Sequence, residues 1–230
     1  MPDRKKRTIR SFVKREGRLT PGQQAALQTL WPTFGIDFTE QVLDLETCFG
    51  RDAQTVLEIG FGNGDSLWQM AQARPDINYI GIEVHRPGAG HLLHLIQTSE
   101  CKNIRISTHD AIDVLQYQIA DASIDRFQLF FPDPWHKRKH HKRRIVQNDF
   151  IQQIAKKLKP NGFFHIATDW EHYARHMLAE LNNSPLFTNL AEDKRFVDRP
   201  DERPVTKFER RGQRLGHGVW DLLFEKVVSL

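Results

Sequence analysis

Short hydrophobic segments recur along the middle of the chain, separated by amphipathic stretches. They fit strands, because they are brief and rich in β-branched and aromatic side chains. The strands are predicted at residues 54–59, 78–84, 103–108, 124–131 and 163–168. Helices are predicted at residues 65–73, 91–99, 111–119, 149–158 and 170–181. This alternation indicates an α/β domain whose parallel sheet carries helices on both faces.

The two ends of the chain depart from this alternation. A basic, flexible arm is predicted over residues 1–30, before a domain over 31–230, because the first 18 residues hold eight Lys and Arg. Whether the arm binds nucleic acid or only raises solubility stays open. Pro21-Gly22 predicts a chain break, and residues 38–49 predict a short helix. Residues 195–218 predict a long functional loop, and residues 219–228 a final strand that no helix follows.

Composition limits the cellular compartment that is expected for the protein. The chain has 230 residues, a net charge of +4 and two cysteines, and its pI is near 9.1. Two cysteines make no disulfide framework, so a reducing cytoplasm is the simplest location. No apolar run approaches the ~20 residues that a membrane span needs. The charged amino terminus lacks the apolar region of a signal peptide.

A glycine-rich loop follows the first predicted strand of the domain. Gly60, Gly62 and Gly64 alternate there, and glycine lets the backbone approach a ligand closely. The spacing differs from the G-x-G-x-x-G of dinucleotide-binding enzymes. Glu58, at the tip of the strand, would also repel a pyrophosphate. Both observations argue against an NAD-dependent oxidoreductase, which is kept as the less favoured alternative.

Carboxylates stand at the tips of three successive strands. Glu83 ends the second strand, where an acid suits the two hydroxyls of a ribose. Asp110 follows the third strand and is placed to accept from an adenine amino group, while Glu58 would attract a cation. A cofactor with a ribose, a positive charge and no phosphate fits this set, which points to S-adenosylmethionine.

The segment over residues 127–144 (FQLFFPDPWHKRKHHKRR) combines a buried strand, a stiff loop and a concentrated positive charge. Asp133 lies between two prolines that hold the backbone extended, at the sheet edge where ligands bind. Trp135 could stack on a substrate base or fill the space under the loop. Residues 137–144, here called the basic segment, hold six Lys and Arg and no acid. A carboxylate beside such a surface indicates chemistry on a polyanion.

Long motifs across the chain resemble one family. They are LEIGFGNG (57–64), GIEVHRPG (81–88), FFPDPWHKRKHHKRRIVQ (130–147), ATDWEHYA (167–174) and RPVTKFERRGQRLGHGVWDLLFE (203–225). From about Val56 onward the chain resembles the bacterial tRNA (guanine-N7-)-methyltransferases. The resemblance implies a Rossmann-like class I methyltransferase with a mostly parallel seven-stranded sheet and an antiparallel C-terminal strand. It also implies methyl transfer from S-adenosylmethionine to guanosine N7 at position 46 of the tRNA variable loop.

The resemblance assigns residues to roles. Asp133 is the expected catalytic carboxylate. The expected cofactor-binding residues are Glu58, Gly60, Gly62, Gly64, Glu83, Asp110 and Asp133. The expected substrate-binding residues are Lys137, Asp169, Thr206, Lys207, Phe208 and Glu209. The expected RNA contacts are Lys139, His140, His141, Lys142, Arg143 and Arg144.

Some alternatives remain open at this point. A non-catalytic RNA-binding protein could keep the same fold and the same basic surface. No metal is expected, because neither His91 and His94 nor the adjacent pair His140 and His141 has further ligands at suitable spacing. The expected partner is tRNA, with no membrane, and the chain could be a monomer or a homodimer.

Overall fold

A single sheet organises the computed structural model, which describes residues 10–12, 17–206, 209–210 and 218–228. In this part of the chain the sheet has eight strands in the order β1-β4-β3-β2-β5-β6-β8-β7. The strands are β1 (Gly35–Ile36), β2 (Thr55–Ile59), β3 (Asn78–Ile82), β4 (Ile104–Ser107), β5 (Ile124–Phe130), β6 (Leu158–Thr168), β7 (Phe187–Asn189) and β8 (Trp220–Lys226).

The strand directions confirm the mostly parallel sheet with an antiparallel strand at the C-terminal end. Strands β1 to β6 pair in parallel, and β8 runs antiparallel between β6 and β7. The expected count of seven strands is wrong by one. Strands β1 and β7 have two and three residues, so they carry too little of a hydrophobic pattern to be found from sequence.

Helices cover the sheet. They are α1 (Pro21–Phe34), α2 (Leu45–Phe49), α3 (Asp65–Ala73), α4 (Arg86–Ser99), α5 (Ala111–Asp113), α6 (Asn148–Lys157) and α7 (Glu171–Asn182). A π-helical turn, Val114–Gln118, continues α5, and a 3₁₀ segment spans Arg138–Arg143. The predicted bounds of α3 are confirmed. The helix predicted over 38–49 is wrong in its first half, because only α2 forms.

Sequence reasoning also missed helix α1. Thr20 caps it and exchanges hydrogen bonds with Gln23 in a capping box, and Pro21 occupies the first turn, where its missing N–H is harmless. The helix packs on α4, where a Cβ at Gly90 would lie 2.9 Å from Gln23 Cβ. The expected chain break at Pro21-Gly22 is therefore a helix start. The boundary expected at residue 30 falls inside α1.

The core lies on both faces of the sheet. On one face Leu57, Phe127, Phe164 and Phe224 stand side by side across β2, β5, β6 and β8, all fully buried. All five residues of β2 and of β3 are buried, which explains their continuous hydrophobic runs. No helix in the described ranges is long and apolar enough to cross a membrane.

Candidate functional site

The carboxyl ends of four neighbouring strands, β4, β3, β2 and β5, meet at one edge of the sheet. Two adjoining cavities open there. The Asp133 cavity has a volume of about 220 Å³, and its wall includes Gly60, Glu83, Asp110 and Asp133. The Glu58 cavity has a volume of about 360 Å³, and its wall includes Glu58, Gly60, Gly62, Gly64, Glu83 and Thr206. Since Gly60 and Glu83 belong to both walls, the expected cofactor-binding residues lie around two adjoining cavities, together called the cleft.

The glycine loop is built as its sequence predicts. Gly62 has a φ of +61°, and open space lies where its Cβ would point. Gly64 has a φ of +79° and lies so close to Leu92 that a Cβ would come within 2.8 Å of that side chain. Glycine is therefore required at Gly64 for packing on α4 and at Gly62 for the left-handed backbone.

Glu83 is fixed between the glycine loop and the start of α4. Its Oε2 accepts a hydrogen bond from the Gly62 N–H at 2.9 Å, and its Oε1 accepts one from the His85 N–H at 2.8 Å. Burial raises the pKa of Glu83, and these two backbone donors oppose the rise. Glu83 lines both cavities, and each of its oxygens keeps a lone pair that could accept from a hydroxyl group.

Glu58 is a buried acid without a hydrogen-bond partner at one oxygen. It is only 2% exposed, and no described residue bonds its Oε2. Burial, followed by the charge of Glu83, raises the pKa of Glu58 to about 8. The group is therefore mainly protonated at neutral pH, and a cation in the cleft would favour its ionised form.

Asp110 completes the acidic edge from β4. Its side chain accepts from the Ile112 N–H at 3.1 Å and caps α5. Burial raises the pKa of Asp110 as well. The short helix thus fixes this carboxylate in the wall of the Asp133 cavity.

Asp133 lies in the loop that leaves β5, and its side chain is exposed. The loop turns sharply, because Phe131 and Trp135 have φ values of +53° and +47°, which are uncommon for residues other than glycine. The Phe131 N–H donates to the Ala167 carbonyl oxygen at 2.7 Å, which ties the start of the loop to β6. The loop therefore presents Asp133 at the opening of its cavity on a fixed backbone.

Arg144 supports this loop from the protein interior. Its side chain donates to the Pro134 carbonyl oxygen at 3.0 Å and lies 4.6 Å from the ring centre of Tyr173. It is only 3% exposed. The structure thus separates Arg144 from the other expected RNA contacts, since its guanidinium faces the protein interior.

Trp135 is occupied by its own chain. The Arg143 guanidinium lies 3.9 Å from the indole ring centre, and the indole N–H donates to the Ser11 carbonyl oxygen at 3.0 Å. Arg143 also donates to the carbonyl oxygens of Arg10 and Phe12. Ser11 and Phe12 reach the wall of the Asp133 cavity. This geometry favours Trp135 as a support of the loop over a role in base stacking.

The exposed charge of the basic segment comes from its lysines and arginines. Lys137, Arg138, Lys139 and Lys142 are exposed. Burial and neighbouring cations lower the pKa of His140 and of His141. Both histidines are thus mainly neutral at neutral pH, and four exposed cations remain available to a polyanion.

The expected substrate-binding residues separate into different environments. Thr206 lines the Glu58 cavity, Lys137 is exposed, and Asp169 follows β6 and is half-buried. Lys207 and Phe208 lie outside the described residues. Glu209 is 2% exposed and pairs with Arg203 at 2.7 Å, while its own N–H donates to Thr206 Oγ1. Its carboxylate therefore holds the loop in place instead of facing the cleft.

Sequence reasoning missed a buried ionic network behind the cleft. Arg203 bonds both Glu209 and Asp221, and His165 contacts Asp221 at 2.8 Å. Burial alone would raise the pKa of Asp221, but hydrogen bonds from His165 and Arg203 lower it. Asp221, an acid among the apolar residues of the final strand, is a signal in the sequence that could have indicated this network. No group of three or more possible metal ligands occurs among the residues that the structure describes.

Comparisons with known proteins agree with this geometry. A family model described as "Putative methyltransferase" matches residues 52–222. Among solved structures, the antibiotic-resistance methyltransferase Kmr superposes with a TM-score of 0.56 at 15% identity, over 85% of this chain and 96% of that one. The sheet, its acid-tipped cleft and these matches define a class I methyltransferase.

Curated relatives give a narrower assignment. The "tRNA (guanine-N(7)-)-methyltransferase" of Edwardsiella ictaluri is 59% identical over 96% of this chain and 93% of its own. The relative of the same name from Pseudomonas aeruginosa is 57% identical over 96% of this chain and 91% of its own. The chain belongs to the tRNA (guanine-N(7)-)-methyltransferase family.

Proposed function

We propose that this protein transfers a methyl group from S-adenosylmethionine to N7 of a guanosine in tRNA, at position 46 of the variable loop. The observation that carries the proposal is the convergence of four strand-tip carboxylates on one cleft beside a basic segment. Membership of the tRNA (guanine-N(7)-)-methyltransferase family supports the choice of substrate. The cytoplasmic location and the division into arm and domain stay predictions.

The residues of the cleft fit the cofactor. Glu83 has lone pairs for a pair of hydroxyls, and Asp110 can accept from an amino group. Glu58 has an oxygen that lacks a partner among the described residues, and a cationic group would supply one. The open space beside Gly62 allows a ligand to approach the backbone. Bound there, S-adenosylmethionine supplies a methyl group on a positively charged sulfur.

The protein then accelerates the reaction mainly by aligning guanine N7 with the methyl group. Guanine N7 carries a lone pair and no proton, so no general base is needed. Holding two reactants in line can contribute ~7–11 kcal/mol. Asp133, which is exposed and belongs to the wall of its cavity, can stabilise the positive charge that develops on the purine. The charge of Asp133 speeds the reaction only if it stabilises positive charge on the purine ring more than positive charge on the sulfur. This difference limits its electrostatic contribution to about 10–10²-fold in rate.

The exposed cations of the basic segment are expected to hold the RNA backbone. If Lys137, Arg138, Lys139 and Lys142 each neutralise one phosphate, log affinity falls with log salt at a slope of about −3, using ~0.7 per contact. In a Lys139→Ala/Lys142→Ala variant the slope falls to about −1.4. Filter binding of tRNA at several salt concentrations measures this slope.

Two controls bracket the salt experiment. Lys102→Ala removes an exposed lysine at the opposite edge of the sheet and leaves the slope unchanged. Arg144→Ala lowers the melting temperature, because it removes buried contacts to the Asp133 loop, yet keeps the slope. A slope near zero for the unmodified protein would show that the basic segment is only a solvated face.

The activity is tested directly with unmodified tRNA transcript and methyl-labelled S-adenosylmethionine. We expect labelled 7-methylguanosine after nucleoside digestion, and borohydride and aniline cleavage to locate it in the variable loop. Binding of tRNA without any labelled nucleoside would instead support the non-catalytic alternative. Calorimetry with NAD tests the alternative of an NAD-dependent oxidoreductase. We expect no heat of binding.

A further inference from the structure

Trp170 stands beside the Asp133 loop. Phe130 of β5 pairs with Ala167 of β6, and Asp133 and Trp170 each lie three residues farther along the chain, in the segments that follow these strands. Trp170 is the last residue before α7 and is 39% exposed. A large indole is thus left in solvent at the same edge of the sheet as the candidate catalytic carboxylate.

The surroundings of Trp170 join it to the basic segment. The His136 ring lies 4.2 Å from the indole at 77°, and His136 belongs to the loop that carries Asp133. The ring of His172, the second residue of α7, lies 5.3 Å from that of His141. The start of α7 therefore adjoins the basic segment, which supplies the positive charge, and Trp170 is an exposed aromatic ring on the side of Asp133.

We infer that Trp170 is the residue on which the target guanine stacks, an inference that rests on the proposed function. Trp135 is not free for this role, since Arg143 lies against its ring and its N–H is bonded to the arm. Stacking of a base on an aromatic side chain contributes ~1–3 kcal/mol and needs no particular sequence. An exposed indole beside a phosphate-binding surface suits a base that has been drawn out of the folded tRNA.

The stack would also favour the reaction over simple binding. Methylation at N7 gives the purine ring a positive charge, and the face of an indole attracts cations. The contact is therefore stronger in the transition state and in the product than with unmodified guanine. Only such a difference raises kcat, whereas equal binding of both states changes KM alone.

Three variants test the inference. Trp170→Ala is expected to lower kcat/KM for tRNA by about 10–100-fold, with a fall in kcat as well as a rise in KM. Trp170→Phe keeps an aromatic face and stays within a few-fold of the unmodified protein. Leu190→Ala, at a residue that is also 39% exposed but follows β7, leaves both constants unchanged. Melting temperatures show whether Trp170→Ala has lost stability instead.

A binding measurement gives a second readout. The chain has five tryptophans, so fluorescence quenching is compared between the unmodified protein and Trp170→Phe. Quenching by 7-methylguanosine 5′-monophosphate exceeds that by guanosine 5′-monophosphate, and the excess disappears in the variant. Equal quenching by both nucleotides, or a Trp170→Ala variant as active as the unmodified protein, overturns the inference. Unmodified protein that makes no 7-methylguanosine in tRNA overturns the proposed function instead.

Discussion

Replacing Asp133 with alanine is expected to cut methyl transfer to tRNA by at least ~10²-fold, while Asp133→Asn loses about 10–10²-fold. The asparagine keeps the size and hydrogen-bonding reach of the side chain but removes its charge. The difference between the two variants therefore separates alignment of the reactants from the electrostatic effect. Single-turnover rates with saturating tRNA and cofactor measure both.

The control for Asp133 is another exposed carboxylate. Asp52 precedes β2 at the opposite edge of the sheet, so Asp52→Asn should leave the rate unchanged. Because Asp133 is exposed, neither of its variants should shift the melting temperature appreciably. An Asp133→Ala variant with near-normal turnover would remove this residue from the mechanism.

Replacing Glu58 with glutamine is expected to stabilise the free protein and to weaken cofactor binding. The pKa of Glu58 is about 8 in the folded chain against an ordinary value of 4.5. Between these pH values the folded state holds a proton that the unfolded chain has released, so stability falls as pH rises through this window. Glutamine does not titrate. Above pH 8 the variant should be more stable by on the order of 5 kcal/mol, at about 1.4 kcal/mol per pKa unit.

Urea unfolding at pH 5 and pH 9 measures this effect. The advantage of Glu58→Gln should be small at pH 5 and large at pH 9, whereas Glu192→Gln, at an exposed loop residue, shows no such difference. An equal advantage at both pH values would contradict the raised pKa.

Cofactor binding is the second half of the Glu58 prediction. An ion pair at ~4 Å contributes about 4 kcal/mol at an effective dielectric constant of ~20, and ionising Glu58 at pH 7 costs about 1.4 kcal/mol of this. The affinity of Glu58→Gln for S-adenosylmethionine should therefore be roughly 10–100-fold weaker. Calorimetry in two buffers of different ionisation enthalpy should show a proton released by the unmodified protein that the variant does not release.

The sequence was sufficient for the fold class and for the acidic edge of the sheet. Strands buried on both faces give continuous apolar runs, and a parallel sheet brings their carboxyl ends together, so Glu58, Glu83 and Asp110 could be grouped without coordinates. Local signals also located α3. These features could be predicted because each depends on residues that are close in sequence or on a general rule of topology.

The roles of individual charged residues could not be predicted in the same way. The sequence of the basic segment does not indicate which of its cationic residues are buried. Only the contacts to Pro134 and Tyr173 distinguish the buried Arg144 from the exposed Lys139. The bonds from Arg203 to Asp221 likewise join residues 18 positions apart. Such assignments depend on tertiary packing, which short-range patterns do not contain.

The place of β8 has a consequence for how the molecule is made. This strand enters between β6 and β7, and it brings Leu222, Phe224 and Asp221 to partners synthesised earlier. A nascent chain that ends before residue 220 therefore has an open sheet edge after β6, and Asp221, one of the two carboxylates that pair with Arg203, is still missing. During translation this edge is exposed to other chains. Insertion of β8 covers the open edge of β6 and completes the structure next to Thr206, in the wall of the Glu58 cavity.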